Sequence, residues 1–199
     1  MYSQNGEDDV ILELVCSYLP TNSTFIDVGA YDGCTRSNTL ALVERGWGGI
    51  LVEPSPVPFQ RLTELHGSNP KLTLVNAVLG PTNSWVNFWP SEDGVSTTVE
   101  AHYQKWKENG GYGDPITALQ LSFSGLWMLH PVQFAYTRVL SIDTEGSSVD
   151  VLETFPFNRV TPTVVCVEYD DAKQRVLDLL KPFGYTLKTL NAENMVLAL

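Results

Sequence analysis

A short glycine-containing segment near the N-terminus holds the first residues whose spacing suggests ligand binding. Residues 26–33 read IDVGAYDG and continue an apolar stretch that begins at Thr24. Gly29 allows a sharp turn at the end of a strand, and Gly33 lets a ligand approach the backbone closely. The spacing is GxxxG, because Tyr31 replaces the middle glycine of the dinucleotide fingerprint GxGxxG. Taken alone, the segment is weak evidence of a nucleotide site.

Carboxylates around this turn sharpen the prediction. Asp27 lies at the strand end, Asp32 lies in the turn, and Glu53 ends the next predicted strand. Asp27 would repel a pyrophosphate, but it suits S-adenosylmethionine, which carries ammonium and sulfonium charges and no phosphate. An acid about 20 residues beyond such a turn commonly binds two ribose hydroxyls, and Asn76 and Ala77 should border the adenine. We prefer this interpretation to a tight turn with surface acids.

A second group of acids follows two later strands. Asp143 and Glu145 come after the predicted strand 139–142, and Glu168 ends the predicted strand 163–168. One of these carboxylates could act as a general base on a substrate hydroxyl, or the three could hold Mg²⁺. They could also only cap the helices that follow. We favour a base or orienting role over a metal site, because the sequence places no histidine beside them.

Hydrophobic periodicity predicts the elements that position these residues. The alternation of apolar strands and helices favours an α/β fold, with a mostly parallel sheet and right-handed crossovers. Helices are predicted from a cap at Asn5 and over about 37–45, 58–66, 98–107, 148–154 and 172–181. Strands are predicted over 24–28, 49–53, 72–78, 85–89, 139–142, 163–168, 185–190 and 195–199.

The alternation of strands and helices is interrupted in the middle of the chain. We expect one domain over 1–199, with an insertion at about 84–137 that covers the acceptor site. Residues 91–137 are aromatic-rich and are predicted to be largely irregular, with a flexible joint at 110–113. His102 and His130 fall in this insertion and are weak candidates for a role at the substrate.

Composition limits the classes of partner. The 199 residues carry a formal net charge of -11, which disfavours long nucleic acid as a substrate. The three cysteines form no CxxC pair and suit a reducing compartment, so we expect a cytoplasmic protein. The acidic N-terminus is not a targeting signal, and no apolar stretch is long enough for a membrane span.

Several motifs together resemble those of the FkbM-type methyltransferases. They occur in family order over nearly the whole chain, apart from about 90–137. They are YSQNGEDDVIL at 2–12, FIDVGAYDG at 25–33, SNT at 37–39, Gly46-Trp47 with Gly49, VEP at 52–54, NAV at 76–78, IDTEG at 142–146 and GY at 184–185. Family members often carry more sequence before the first motif, so we expect any recognition or oligomerising segment found there to be missing.

The resemblance implies a Rossmann-like class I methyltransferase fold, with a seven-stranded sheet closed by an antiparallel hairpin. It also implies S-adenosylmethionine as cofactor and O-methylation of a small hydroxyl acceptor, such as a sugar or polyketide. Gln4, Asn5 and Asn38 are expected to close over the amino-acid end of the cofactor, and Asp143 and Glu145 to face the transfer site. The other expected cofactor residues are Asp27, Gly29, Ala30, Tyr31, Asp32, Gly33, Glu53, Asn76 and Ala77.

Other functions fit the sequence less well. An adenine or glutamine N-methyltransferase would usually carry an Asn/Asp-Pro-Pro-Tyr run where this chain has IDTEG, and a cap-type ribose methyltransferase needs lysines near Asp143. An NAD-dependent oxidoreductase could use Glu53, but Asp27 and the missing glycine disfavour it. A module that binds S-adenosylmethionine without activity also stays open, as does the oligomeric state.

Overall fold

The computed structural model describes residues 1–108 and 111–199, so Gly110 of the predicted joint lies outside the described residues. The helices are α1 (Glu7–Leu14), α2 (Leu40–Glu44), α3 (Pro56–His66), α4 (Glu100–Trp106), α5 (Phe123–Leu129), α6 (Pro131–Ala135), α7 (Ser148–Glu153) and α8 (Lys173–Leu180). The strands are β1 (Thr24–Val28), β2 (Gly48–Val52), β3 (Leu72–Val75), β4 (Val78–Leu79), β5 (Ser84–Phe88), β6 (Ile116–Leu121), β7 (Thr137–Ile142), β8 (Val164–Glu168), β9 (Thr186–Leu190) and β10 (Asn194–Ala198).

Seven strands form the central sheet in the order β3-β2-β1-β7-β8-β10-β9. Strands β3, β2, β1, β7 and β8 are parallel, whereas β10 pairs antiparallel with both β8 and β9. The predicted fold class, a mostly parallel α/β sheet with a closing hairpin, is therefore confirmed. Strand order reverses between β1 and β7, and ligands of such sheets bind at the carboxyl ends of the strands beside this reversal.

Both faces of the sheet are covered, which explains why its strands are apolar throughout. Alternate side chains of each strand point to opposite faces. Ile26 and Val28 pack in one core with helices α5, α6, α7 and α8. Phe25 packs in the other with α1, α2 and α3. All three cysteines are free.

Two details of the N-terminal half differ from the sequence prediction. Gly6, with φ 85°, is the N-cap of α1 instead of Asn5, and the N–H of Asp8 in the first turn donates to Ser3 Oγ at 3.1 Å. The third strand ends at Val75, and residues 78–79 form the separate strand β4. Polar Asn76 interrupts the apolar run and exposes its side chain at this point.

The expectation that residues 91–137 are largely irregular is wrong. Strand β6 lies between β4 and β5 in a second, three-stranded sheet. Helices α5 and α6 belong to the main core, where Phe123, Leu126 and Phe134 are buried. Helices α5 and α6 thus belong to the crossover that joins β3 to β7. They were hard to recognise in the sequence because they are short and contain Gly125 and Pro131. No helix among the described residues is long and apolar enough to cross a membrane.

Candidate active site

A cavity of about 810 Å³ opens at the carboxyl ends of β1, β2, β7 and β8. Its volume is typical of sites for small ligands. The strand ends form its floor, the N-terminal segment and the β9–β10 turn border one side, and residues 93–106 of the insertion border another. The cavity therefore lies where the strand order reverses.

The glycine turn brings the ends of β1 and β7 into direct contact. Gly29 has φ 84°, and a Cβ there would lie 1.7 Å from the carbonyl oxygen of Asp143. Only glycine permits this approach. Gly33 also has a positive φ of 73°, but a Cβ there would meet Leu62 and His66 of α3. Gly33 therefore serves the packing of the turn on α3, and it does not line the cavity.

Asp27 is buried at the end of β1 and lines the cavity. Its Oδ2 accepts a hydrogen bond of 2.6 Å from the Thr39 hydroxyl, and Ser141 donates a second one. Asn38 reaches this group indirectly, because its Nδ2 donates to Ser141 Oγ at 3.3 Å. Burial raises the pKa of Asp27 to about 6. The sequence analysis did not identify Thr39 and Ser141 as site residues. Ser141 could have been recognised, because it is a hydroxyl residue close to the end of the apolar strand β7.

Glu53 is the second buried carboxylate of the cavity. Its Oε2 accepts from the Tyr31 backbone N–H at 2.9 Å, and its Oε1 accepts from the Ser55 N–H at 2.7 Å. Burial raises its pKa to about 8, with smaller contributions from Asp27 and Asp32. These two backbone donors hold the Glu53 carboxylate beside the glycine turn.

Asp32 and Asn76 support this region without lining the cavity. Asp32 Oδ1 accepts from the backbone N–H groups of Cys34 and Thr35, which closes the turn. Asn76 Nδ2 donates to the carbonyl oxygens of Glu53 and Pro54 and so holds the chain after β2.

Three further carboxylates converge on the opposite side of the cavity. Asp143, Glu145 and Glu168 each place an oxygen within 4.8 Å of the others. Glu168 Oε2 accepts from the Glu145 N–H at 3.2 Å and from the Ser148 hydroxyl at 3.0 Å. Burial, and then mutual repulsion, raise the pKa values of all three. Glu145 adopts a positive φ of 51°, a conformation uncommon outside glycine.

The insertion contacts this acidic side directly. Thr97 Oγ1 donates to the Glu145 carbonyl oxygen at 2.7 Å. His102, on α4, places its Nε2 3.6 Å from Glu145 Oε2. Burial lowers the pKa of His102, which favours the neutral ring. Sequence analysis made His102 only a weak candidate, because a lone histidine is more often structural. Its proximity to Glu145 was not visible, since 43 residues separate the two along the chain.

The N-terminal motif closes the cavity from the hairpin side. Gln4 Nε2 donates to Glu193 Oε1 at 2.8 Å, and Asn5 Nδ2 donates to Glu193 Oε2 at 3.1 Å. Glu7 is buried and accepts from Asn194 Nδ2 at 3.0 Å. Gln4 lines the cavity, whereas Asn5 does not. The SQNGEDD run therefore anchors the N-terminus to the β9–β10 turn.

The structure thus brings most of the predicted site residues to one cavity. The predicted residues that do not line it are Asn5, Asp32, Gly33 and Asn76. Those that do are Gln4, Asp27, Gly29, Ala30, Tyr31, Asn38, Glu53, Ala77, Asp143, Glu145 and Glu168.

The family model for the methyltransferase FkbM domain matches residues 27–187. The chain belongs to this family. Membership confirms the predicted resemblance, S-adenosylmethionine as cofactor and methyl transfer as the general activity. No curated protein sequence matches the chain at a significant level.

Several solved structures are similar to this chain, and the one from Staphylococcus aureus shows the same fold. A protein described as a caffeoyl-CoA O-methyltransferase from Staphylococcus aureus has a TM-score of 0.53 at 10% identity, covering 100% of this chain and 84% of that one. An RNA methyltransferase from Salinibacter ruber in complex with S-adenosyl-L-homocysteine has a TM-score of 0.48 at 12% identity, covering 100% and 92%. Aeropyrum pernix fibrillarin with natively bound S-adenosyl-L-methionine has a TM-score of 0.47 at 10% identity, covering 96% and 73%.

Proposed function

We propose that this methyltransferase transfers the methyl group to a hydroxyl of a small molecule, such as a sugar or polyketide. The observation that carries the proposal is one cavity with two groups of carboxylates, the first buried and the second half-buried. Asp27 and Glu53 lie on one side, and Asp143, Glu145 and Glu168 lie on the other. We assign the first group to the cofactor and the second to the acceptor.

The first group suits the parts of S-adenosylmethionine. Asp27, with Asn38 and Ser141 beside it, offers a negative charge and hydrogen-bonding groups for the cationic amino-acid end. Glu53 would bind the ribose hydroxyls, and Ala77 would border the adenine. The bound cofactor supplies a methyl group that is already activated by the sulfonium charge. The protein therefore mainly has to align the acceptor oxygen with that methyl group.

The second group supplies what a hydroxyl acceptor needs. A carboxylate of Asp143 or Glu145 can accept the hydrogen bond of the hydroxyl and fix its oxygen in the cavity. As the oxygen is methylated, its proton passes to the same carboxylate. Glu168 positions Glu145 through the hydrogen bond that it accepts from the Glu145 N–H.

The surroundings of the cavity favour a small acceptor. Thr97 and His102 of the insertion contact Glu145, whereas Ser96 donates to Ser55 Oγ on the side of Glu53. Phe88 and Trp106 contribute apolar surface to the cavity. We therefore assign acceptor recognition to the insertion, within a single domain over 1–199. The acidic lining and the net charge of -11 disfavour a polyanionic acceptor.

The test measures cofactor binding and methyl transfer separately. Calorimetry with S-adenosylhomocysteine should give one site, which Asp27→Asn weakens and Glu145→Gln leaves within about threefold of wild type. A panel of sugars, phenols and amines is then screened for S-adenosylhomocysteine release, where Glu145→Gln should abolish turnover of hydroxyl acceptors. Glu64→Gln, an exposed charge change on α3, is the control.

Three results would contradict the proposal. Turnover of amines alone would refute O-methylation, and cofactor binding without turnover of any acceptor would favour an inactive binding module. Unchanged hydroxyl turnover in both Asp143→Asn and Glu145→Gln would refute the assignment of the acidic group.

A further inference from the structure

Two side chains with a permanent positive charge, Arg36 and Lys105, line the cavity among the described residues. Apart from His102, the rest of the titratable lining is acidic or phenolic. Lys105 lies on the acceptor side, since its charge acts on His102 and Asp170. Arg36 lies in the loop between β1 and α2, on the side assigned to the cofactor. The cofactor side therefore contains a cation to which no role has yet been given.

The loop that carries Arg36 also supplies the hydrogen bonds around Asp27. Thr39 Oγ1 donates to Asp27 Oδ2 at 2.6 Å. Asn38 Nδ2 donates at 3.3 Å to Ser141 Oγ, and Ser141 in turn donates to Asp27. Arg36 precedes Asn38 by two residues and lines the same cavity. Its side chain therefore enters the cavity beside the residues assigned to the amino-acid end of the cofactor.

The backbone of Arg36 is held in an uncommon conformation. Its φ of 56° lies in the left-handed region, which residues other than glycine seldom adopt. Arg36 pairs there with Ser3 in a parallel bridge. Ser3 is buried, and its Oγ donates to Asp8 Oδ1 and accepts from the Asp8 N–H. Helix α1 thus fixes the N-terminal segment, and this segment holds the backbone from which the Arg36 side chain leaves.

The guanidinium of Arg36 forms no ion pair within the described part of the chain. Burial and neighbouring acids raise the pKa of Glu145, and the charge of Arg36 only partly offsets this rise. Arg36 is also not among the groups that shift the pKa of Asp27. Asp27 and Arg36 therefore do not neutralise each other, and both remain available to a ligand that carries opposite charges.

We propose that Arg36 binds the carboxylate at the amino-acid end of the cofactor, and that residues 2–8 position Arg36 for this contact. The proposal rests on the proposed assignment of Asp27 to the cofactor's ammonium. S-Adenosylmethionine carries this ammonium and a carboxylate on the same carbon atom. Asp27 attracts the first group and repels the second, so the carboxylate needs a cation on its other side. A guanidinium can donate two parallel hydrogen bonds to a carboxylate, which fixes its orientation.

The experiment compares two ligands that differ only in the carboxylate. Calorimetry measures the binding of S-adenosylmethionine and of decarboxylated S-adenosylmethionine, which keeps the ammonium and the sulfonium. Arg36→Met should bind S-adenosylmethionine at least about tenfold more weakly than wild type, as for loss of a charged hydrogen bond. The decarboxylated ligand should bind wild type and Arg36→Met within about twofold of each other, because neither complex contains the contact. Neither measurement requires an acceptor or methyl transfer.

Matched variants control for charge and for folding. Arg45→Met removes an exposed arginine outside the cavity and should bind both ligands as wild type does. Arg36→Gly removes the same guanidinium but suits the left-handed backbone. It should therefore unfold at or above the wild-type temperature and still bind S-adenosylmethionine as weakly as Arg36→Met does.

Ser3→Ala tests the positioning of Arg36, because it removes the hydrogen bonds with Asp8 and leaves the guanidinium in the chain. It should weaken the binding of S-adenosylmethionine less than Arg36→Met does, and it should leave the decarboxylated ligand unaffected. Ser3→Ala combined with Arg36→Met should bind no more weakly than Arg36→Met alone, since both act on one contact. Additive losses would overturn the positioning role of the N-terminal segment.

The refuting outcomes are distinct from those of the proposed function. Unchanged binding of S-adenosylmethionine in Arg36→Met, or equal weakening of both ligands, would overturn the carboxylate contact. A larger loss in Lys105→Met than in Arg36→Met would assign the carboxylate to the other cation. Asp27→Asn should weaken both ligands, because both carry the ammonium. If it weakens neither, the proposed assignment of Asp27 fails, whatever the result for Arg36.

Discussion

Replacing Asp27 by asparagine should stabilise the protein without ligand and weaken its hold on the cofactor. Asp27 is buried, and its pKa rises from 3.8 to about 6 in the folded state. Because the folded pKa exceeds the unfolded value, the folded protein holds this proton more tightly. Asp27 therefore lowers the stability of the folded state progressively as the pH rises from about 4 to about 6. Above pH 6 this loss of stability is complete.

The magnitude follows from the pKa shift. About two pK units correspond to about 3 kcal/mol at neutral pH. Asparagine has the same shape and no charge, and the hydroxyls of Thr39 and Ser141 can reorient to pair with its amide. The stability difference between Asp27→Asn and wild type should therefore increase by about 2 kcal/mol between pH 4 and pH 8.

Urea unfolding in EDTA across this pH range measures the difference. Asp9→Asn, the same chemical change at an exposed position of α1, should show no such pH dependence. At neutral pH, calorimetry should show S-adenosylhomocysteine binding weakened about tenfold in Asp27→Asn, as for loss of a charged hydrogen bond. A stability difference that stays constant with pH, or unimpaired cofactor binding, would refute the reasoning.

Four further substitutions test how the cavity and the core beneath it are built, each by thermal and urea unfolding. Gly29→Ala should lower the free energy of unfolding by about 3 kcal/mol or more, because its Cβ would lie 1.7 Å from a carbonyl oxygen just after β7. Gly94→Ala has a similar φ but no contact closer than 3.9 Å, and it should cost only about 1 kcal/mol. Glu7→Ala removes the acceptor of Asn194 and should cost about 2–3 kcal/mol. Phe123→Ala leaves a cavity beside the rings of Phe134 and Phe155, which Phe123 contacts edge to face, and it should lower the free energy of unfolding by about 3–5 kcal/mol. A loss under about 1 kcal/mol would show that this aromatic core is not tightly packed.

The strands of the central sheet could be predicted from the sequence because the pattern that marks each strand is local. The apolar runs at β1, β2, β7 and β8 are bounded by Gly29, Glu53 and other turn or acidic residues, and all four strands occur where they were predicted. The helices α5 and α6 were missed for a local reason as well. Each is under eight residues long, and Gly125 and Pro131 resemble loop residues.

The sequence predicted the cavity residues that lie at the strand ends, but not those that the insertion contributes. Strand ends of a parallel sheet meet by topology, so Asp27, Glu53 and Asp143 could be grouped from chain positions alone. Asn5 and Asn76 do not line the cavity, because their amides donate to Glu193 and to the Glu53 carbonyl. A side chain's direction after a strand end depends on partners that sequence spacing does not specify.

His102 shows why such partners matter for function. For the acids after β7 and β8, the sequence favoured a base or orienting role over a metal site, because it places no histidine beside them. The position of His102 depends on α4 packing over the cavity, where Thr97 holds the Glu145 carbonyl and a Cβ on Gly146 would collide with the His102 ring. The insertion and the loop after β7 are therefore packed closely against each other at the edge of the cavity.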